Sequence, residues 1–178
     1  MMKLSIRRVT EEDARQLWLW ANDPDVRLAS FQSGRISWEE HRNWFRERLQ
    51  DPLTYMYLVL DGRGSPVGVV RFQGSDHPLR HAIVSITIAP KYRRRRFGSS
   101  ALGLAALQVR RESSISTLTA HIRSGNRASL QTFLKAGFQD HGTIMMNGEK
   151  TQRLVLELES LTEHGKGRPD PGRIRDRD

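Results

Sequence analysis

The segment IAPKYRRRRFGSSALGLAAL, residues 88–107, joins an apolar run to an apolar helical pattern through four consecutive arginines. Before it, apolar residues at 84, 86 and 88 alternate with hydroxyl residues at 85 and 87, which predicts a β-strand ending at Pro90. The apolar spacing after Gly98 predicts a helix. Because a helix N-terminus has unpaired N–H groups and the positive end of the helix dipole, this succession favours an anion site. We expect the loop to bind a pyrophosphate, rather than to be a solvated charge run or a nucleic-acid patch.

Composition limits the classes of protein that this chain can belong to. Its 178 residues favour a single domain, and its net charge of +9 favours anionic partners. The absence of cysteine excludes disulfides, thiolate metal sites and cysteine nucleophiles. With no apolar run of about 20 residues, no membrane span is expected, and a soluble cytoplasmic protein is the default. Residues 162–178 are rich in Gly, Pro and charge, so we expect one domain over 1–161 and a disordered tail.

Periodicity and capping signals predict the order β-α-α-β-β-β-α-β-α-β-β, which is an α/β (α+β) domain with a mixed sheet. Ser37 and Glu40 form a capping-box pattern that starts a helix from about Trp38 to Gln50. The segment STLTAHIRS alternates like a strand, and NRASLQTFLKAGF reads as a short helix that ends at Gly137. Two final strands are expected near Gln139–Met146 and Gln152–Glu159.

Two of these segments carry a family resemblance. IAPKYRRRRFG resembles the acetyl-CoA pyrophosphate loop of the GNAT acyl-CoA N-acyltransferase superfamily, a strand followed by Pro-x-Tyr-Arg, an Arg-x-x-Gly-x-Gly loop and a helix. NRASLQTFLKAGF resembles the second hallmark, an asparagine followed by a short helix that ends in Gly-Phe. The element order also matches over residues 3–159. The resemblance implies a mixed, mostly antiparallel sheet of about seven strands, with a splay between strands 4 and 5 and four flanking helices.

The resemblance further implies acetyl-CoA as co-substrate, no metal, and direct attack of a primary amine on the thioester in a ternary complex. The pantetheine arm would pair with backbone in the splay, and the pyrophosphate would lie on the basic loop. The implied cofactor-binding residues are Ile86, Ile88, Arg93, Arg94, Arg95, Arg96, Phe97, Gly98, Ser99, Asn126 and Phe133.

The loop departs from the family pattern, since Arg96 occupies the place of the first glycine when the loop is aligned by distance from Pro90. A side chain there restricts positive φ and close approach of a phosphate. An alternative register that starts at Arg95 restores a glycine but lengthens the loop by two residues. We prefer the first register on spacing, with the extra arginine charge offsetting the poorer backbone fit.

The usual acid and base of the family are also missing, because Ile83 stands in the place of the glutamate and Phe133 in that of the tyrosine. Ser129, one turn earlier on the same helix, is the candidate donor to the leaving thiolate. His121 and His81 are candidate bases, and a water chain or an amine that arrives neutral is an open alternative.

The segment LWLWANDPDVRLASFQSGRISWEEHRNWFRERL resembles the N-terminal region of GNAT enzymes that acetylate an amino sugar on a nucleotide carrier, as in pseudaminic-acid pathways. By that resemblance Arg27 and His41 line the acceptor pocket. Acetylation of protein N-termini or ribosomal proteins, and of polyamines or aminoglycosides, are alternatives. A non-catalytic CoA-binding or nucleic-acid-binding module is the alternative of another class. We expect a monomer or homodimer, with no membrane partner and nucleic acid disfavoured.

Overall fold

One seven-stranded sheet organises the protein, which is described here by a computed structural model covering residues 3–74 and 80–161. The predicted tail, residues 162–178, lies outside the described residues. In chain order the strands and helices are β1 Ser5–Arg8, α1 Ala14–Ala21, α2 Pro24–Ala29, α3 Trp38–Gln50, β2 Thr54–Leu60, β3 Pro66–Gly74, β4 His81–Ile88, α4 Phe97–Glu112, β5 Thr117–Arg123, α5 Arg127–Lys135, β6 Gln139–Met146 and β7 Glu149–Glu157. No helix of the described segments has the length and apolar character that crossing a membrane requires.

The sheet order is β1-β2-β3-β4-β5-β7-β6. Every neighbouring pair is antiparallel except β4 and β5, which are parallel and are connected through α4. The predicted mixed, mostly antiparallel sheet is therefore confirmed. The parallel pair places the end of β4, the start of α4 and the end of β5 at the same edge of the sheet.

The two faces of the sheet are covered by different helices. Tyr57 of β2 donates a hydrogen bond from its hydroxyl to Glu112 of α4 at 2.8 Å, so its face of the sheet packs on α4. On the opposite face, the Arg71 guanidinium of β3 lies over the ring of Trp44 of α3. Because side chains alternate along a strand, odd-numbered residues of β3, β4 and β5 share the α3 face. On β4 that face is open, since Ile83 and Ser85 are exposed.

Local capping explains where the helices on the α3 face begin. Ser37 accepts from the backbone N–H of Glu40 at 3.2 Å, and the Glu40 carboxylate accepts from the N–H of Ser37 at 2.8 Å, so the predicted capping box is formed. The segment NDPDV, residues 22–26, separates α1 from α2, which has Asp23 as its N-cap and Pro24 in its first turn. The described residues thus contain five α-helices rather than the four flanking helices expected.

Of two glycines of α4, one lies tightly against α5 and the other faces open space, so substituting each tests how closely α4 packs on α5. A Cβ on Gly98 would lie 2.7 Å from Cγ2 of Thr132, whereas a Cβ on Gly103 would meet no atom within 4 Å. Gly103→Ala should stabilise the protein by about 0.5–1 kcal/mol through helix propensity. Gly98→Ala should instead destabilise it, because overpacking costs about 1–3 kcal/mol. Thermal unfolding of the two variants measures the difference.

The matched control for this pair removes the clashing methyl group. In Gly98→Ala/Thr132→Ser the Cγ2 atom is gone while the hydroxyl, which donates to the carbonyl of Ala128 at 2.8 Å, is retained. The double variant should recover stability relative to Gly98→Ala. Equal melting temperatures for Gly98→Ala and Gly103→Ala would contradict the close approach of the two helices.

Candidate active site

A gap opens between β4 and β5 in the middle of the sheet. The two strands pair only from His81–Thr117 to Ile83–Thr119, although β4 runs on to Ile88 and β5 to Arg123. On their other sides β4 stays paired with β3, and β5 stays paired with β7, to the ends of the strands. The gap therefore has two fixed walls with unpaired backbone groups, which can accept an extended ligand as an added strand. The predicted splay is confirmed, and it places Ile86 and Ile88 on one wall.

The loop that leads into α4 has the backbone shape of a glycine-rich loop but carries arginines. Arg94 and Arg96 both adopt positive φ, 61° and 63°, in the left-handed region that glycine favours. Arg96, the residue just before α4, stands where the family pattern has its first glycine, which supports the register aligned on Pro90. Positive φ at alternate residues turns successive N–H groups toward one side, as in an anion-binding nest.

The side chains of this loop divide into two groups. Arg94, Arg95 and Arg96 are exposed, and no carboxylate within residues 3–74 or 80–161 forms a salt bridge with them. Together with the N–H groups of the first turn of α4, including those of Gly98 and Ser99, they form a cationic surface at the mouth of the gap. The buried ring of Phe97 packs edge-on against Tyr92 and so holds the loop against the hydrophobic core.

Arg93 is engaged differently from the three arginines that follow it. Its guanidinium contacts Asp23 at 2.6 Å and Asp25 at 2.8 Å, and its Nε donates to the carbonyl of Ile88 at 3.1 Å. Its hydrogen-bonding capacity is thus largely used by the protein itself. The structure therefore assigns Arg93 to holding the start of α2 against the end of β4, and its predicted contact with pyrophosphate is not supported by its surroundings.

A second arginine holds the other end of α2. Arg123, the last residue of β5, donates from Nη1 to the carbonyls of Leu28 at 2.7 Å and Ser30 at 3.1 Å, and its Nε contacts Glu149. Since Arg93 follows β4 and Arg123 ends β5, the segment 23–30 spans the mouth of the gap between the two strands. We call this segment the α2 bridge. It brings the N-terminal part of the chain to the site.

The second hallmark, at α5, supplies a side-chain N-cap, from Asn126, and a serine hydroxyl, that of Ser129. Asn126 accepts from the N–H of Ser129 at 3.0 Å and so caps α5. The Ser129 hydroxyl is half-buried and has no hydrogen-bond partner among the residues described, which leaves it available as a donor. Phe133 is only 2% exposed and packs edge-on against Phe138 at 4.9 Å. Phe133 is thus part of the core beneath α5, and its contact with the cofactor stays a prediction.

Both candidate bases lie on the α3 face, beside the start of the gap. Nε2 of His81 and Oγ1 of Thr119 are hydrogen-bonded at 2.8 Å, which ties His81 to β5. His121 lies two residues beyond Thr119 on the same face and is paired across the sheet with Arg153. Burial, then the positive charge of Arg153 and the neighbouring His81, lower the pKa of His121. A neutral imidazole beside the gap can accept a proton from an amine.

Arg27 and His41, predicted to line the acceptor pocket, are both occupied by internal hydrogen bonds. Arg27 donates to the carbonyls of Ala21, Gln32 and Gly34 and to the Ser30 hydroxyl. His41 is 3% exposed, and its Nε2 hydrogen-bonds the carbonyl of Ala14 at 3.0 Å. Burial lowers the pKa of each side chain. They shape the loop after α2 and fasten α3 to α1, and their surroundings do not support direct acceptor contact.

A family profile described as "Acetyltransferase (GNAT) domain" matches residues 3–139, more than half of the chain. The chain therefore belongs to the GNAT acetyltransferase domain family. This match confirms the predicted superfamily and the predicted acyltransferase class. No curated relative matches the sequence significantly. Within the described segments, no group of three His, Asp or Glu side chains could hold a metal ion.

Solved structures share the fold at low sequence identity. A spermidine N-acetyltransferase from Vibrio cholerae, in complex with CoA and spermine, is 18% identical with a TM-score of 0.78, over 88% of this chain and 96% of that one. The aminoglycoside acetyltransferase AAC(6')-Ib, in complex with coenzyme A and kanamycin, is 14% identical with a TM-score of 0.75, over 87% of this chain and 95% of that one. Both contain coenzyme A, which agrees with the predicted co-substrate. At these identities they establish the fold alone.

The division of the arginine run predicts two distinguishable variants. Arg95→Ala should raise the Kd for coenzyme A about tenfold or more, because a hydrogen bond to a charged group is worth about 1.5–3 kcal/mol. It should leave the melting temperature of the free protein unchanged, since Arg95 is exposed. Arg93→Ala should lower the melting temperature, because it leaves Asp23 without its partner at 2.6 Å. Calorimetric titration and thermal unfolding measure the two effects, and unchanged coenzyme A affinity in Arg95→Ala would contradict the loop assignment.

The environment of His121 predicts how kcat/KM depends on pH at the acidic end of the range. If neutral His121 is the base, kcat/KM falls as pH decreases through a midpoint below 6.5, its ordinary pKa. Arg153→Gln removes one of the two charges that lower this pKa, so the midpoint should move upward, toward 6.5. Arg46→Gln, at an exposed site on α3, is the matched control and should not move it. If kcat/KM of His121→Gln falls at low pH with the same midpoint as wild type, the titrating group is not His121.

Proposed function

We propose that the protein is an acetyl-CoA-dependent N-acetyltransferase that acts on the primary amine of a small molecule. The observation that carries this proposal is the gap between β4 and β5, which ends at a basic loop in left-handed backbone conformation. An extended arm fits the unpaired strand edges, and a pyrophosphate fits the loop and the N-terminus of α4. The two requirements together describe an extended ligand with a diphosphate at one end, which is the shape of acetyl-CoA.

The chemistry assigned to this chain is alignment and proton transfer. The amine nitrogen attacks the thioester carbonyl carbon, the C–N bond forms, the C–S bond breaks, and the thiolate leaves. His121 accepts the proton that the amine loses, directly or through water, and the Ser129 hydroxyl donates to the departing sulfur. Holding both reactants in one gap supplies most of the rate enhancement, because orientation alone can contribute about 7–11 kcal/mol.

For the acceptor we propose an amino sugar carried on a nucleotide diphosphate. The resemblance of the N-terminal region supports this, and so does the net charge of +9. Arg27 and His41 contribute by holding the loop after α2 and the start of α3 in place. Spermine and kanamycin, bound in the two similar structures, are polycationic amines, and the chain's positive charge disfavours such acceptors here.

An acceptor screen read by coenzyme A release tests the proposal. UDP-linked amino sugars, peptides with free N-termini, spermidine and kanamycin are compared at equal concentration, with acetyl-CoA hydrolysis in the absence of amine as the control. We expect turnover with the UDP-linked amino sugar and little with the polycations. If only peptides or polyamines are acetylated, the proposed acceptor is wrong and the proposed transferase activity stands. Absence of coenzyme A binding would overturn both.

A further inference from the structure

Arg71 is an arginine in the middle of the sheet, on the face where the acceptor would lie. It belongs to β3, with Met56 opposite it on β2 and Ser85 opposite it on β4. The Trp44 ring of α3 covers it, with its centroid 5.1 Å from Cζ of the guanidinium. Ser85, its neighbour on β4, is exposed, so the guanidinium borders the open part of this face.

The positive charge of Arg71 has no anionic partner in the part of the chain that the structure describes. No hydrogen bond or salt bridge to its side chain occurs there, and its guanidinium contacts the ring of Trp44. The neighbouring charge is another cation, Arg48, which already pairs with Asp51 at 3.2 Å. Burial, then Arg48, lower the pKa of Arg71. A half-buried guanidinium left without an anion is unfavourable unless a ligand supplies one.

Arg71 also lies close to the place where the reaction would occur. Ser85 is two residues from Ile83 on the same face of β4, and Ile83 forms the last pair with β5 before the gap opens. Neighbouring strands are separated by about 4.7–4.9 Å, so an arginine side chain on β3 reaches the space above β4. A molecule whose amine is at the gap would therefore extend across Ser85 toward the Arg71 guanidinium.

The other charged groups around this space are mainly positive. Arg153 lies on the same face of the sheet as the two candidate bases, His81 and His121. The carboxylates of the α2 bridge, Asp23 and Asp25, are paired with Arg93. The remaining acidic side chains on this face of β5 and β7 are both engaged: Glu149 contacts Nε of Arg123, and Glu157, opposite Thr117 at the closed end of the β4–β5 pair, accepts from the Thr117 hydroxyl at 2.7 Å. The space beside the gap is therefore a cationic environment.

We propose that Arg71, stacked on Trp44, binds an anionic group of the acceptor, a phosphate or a carboxylate, and so selects amines carried on anionic molecules. This inference rests on the proposed function and adds to it the residue and the charge class that determine acceptor choice. A guanidinium presents paired N–H donors that match either anion. Polyamines and aminoglycosides would instead bring further positive charge to this position.

The test compares matched acceptors with three variants. Glucosamine 6-phosphate is paired with glucosamine, and a dipeptide with a free C-terminus is paired with its C-terminal amide, while a UDP-linked amino sugar gives the diphosphate. Arg71→Met removes the charge at similar volume, Arg71→Lys retains it, and Arg46→Met is the exposed control. Acceptor KM and acetyl-CoA KM are measured separately for each variant.

In Arg71→Met we expect the KM of the preferred anionic acceptor to rise about tenfold or more, with the KM of acetyl-CoA unchanged. The neutral member of the pair should be affected little, and Arg71→Lys should recover part of the loss. The pair that shows the effect distinguishes a phosphate from a carboxylate. Equal losses for the charged and neutral members would overturn the proposal, as would a preference for spermidine that Arg71→Met leaves unchanged.

Two further measurements keep the inference separate from the proposed reaction. If no amine is acetylated, the transferase proposal fails, and binding of UDP, inorganic pyrophosphate and the dipeptide with a free C-terminus to the protein saturated with coenzyme A tests Arg71 by itself. Binding to wild type that Arg71→Met weakens supports the site, and no binding to wild type overturns it. In the free protein, Arg71→Met should raise Tm, because it removes a charge that no anion in the described part of the chain pairs. A lower Tm would assign Arg71 a structural role and contradict the site.

Discussion

The divergence of β4 and β5 after Ile83 and Thr119 is the constraint on which the site depends. A parallel pair that stops early leaves backbone donors and acceptors unpaired in the middle of a sheet, which is unfavourable unless water or a ligand satisfies them. The gap stays open because each strand is held on its other side, β4 by β3 and β5 by β7. The same divergence brings the start of α4, the α2 bridge and the two histidines around one opening.

The arginines around this opening have different surroundings, even where they are adjacent in the sequence. Arg93, which follows β4, and Arg123, which ends β5, both donate hydrogen bonds to the α2 bridge. Arg94 to Arg96 remain exposed at the N-terminus of α4, where a diphosphate would lie. Arg71, on the acceptor side, has no anionic partner among residues 3–74 and 80–161. Arginines that pair with protein groups thus maintain the shape of the site, whereas those without such a pair among the described residues are available to bind a ligand.

Local signals in the sequence predicted much of this structure. The capping box at Ser37 predicted where α3 begins, and the spacing from Pro90 identified the loop in which Arg96 adopts positive φ, as glycine does. What the sequence could not reveal were contacts between distant segments. The pairing of Arg93 with Asp23, 70 residues away, depends on how the chain folds back. The burial of His41 and Phe133, likewise, follows from helix packing that periodicity does not resolve.

Hydrogen exchange at the backbone amides of β4, with and without coenzyme A, tests most directly whether the gap receives the co-substrate. Residues 84–88 include amides that face the gap without a strand partner, whereas residues 81–83 are already paired with β5. We expect coenzyme A to slow exchange in 84–88 and in the first turn of α4, and to leave β6, at the far edge of the sheet, unchanged. Saturating binding of coenzyme A with unaltered exchange at 84–88 would place the co-substrate elsewhere and contradict the assigned site.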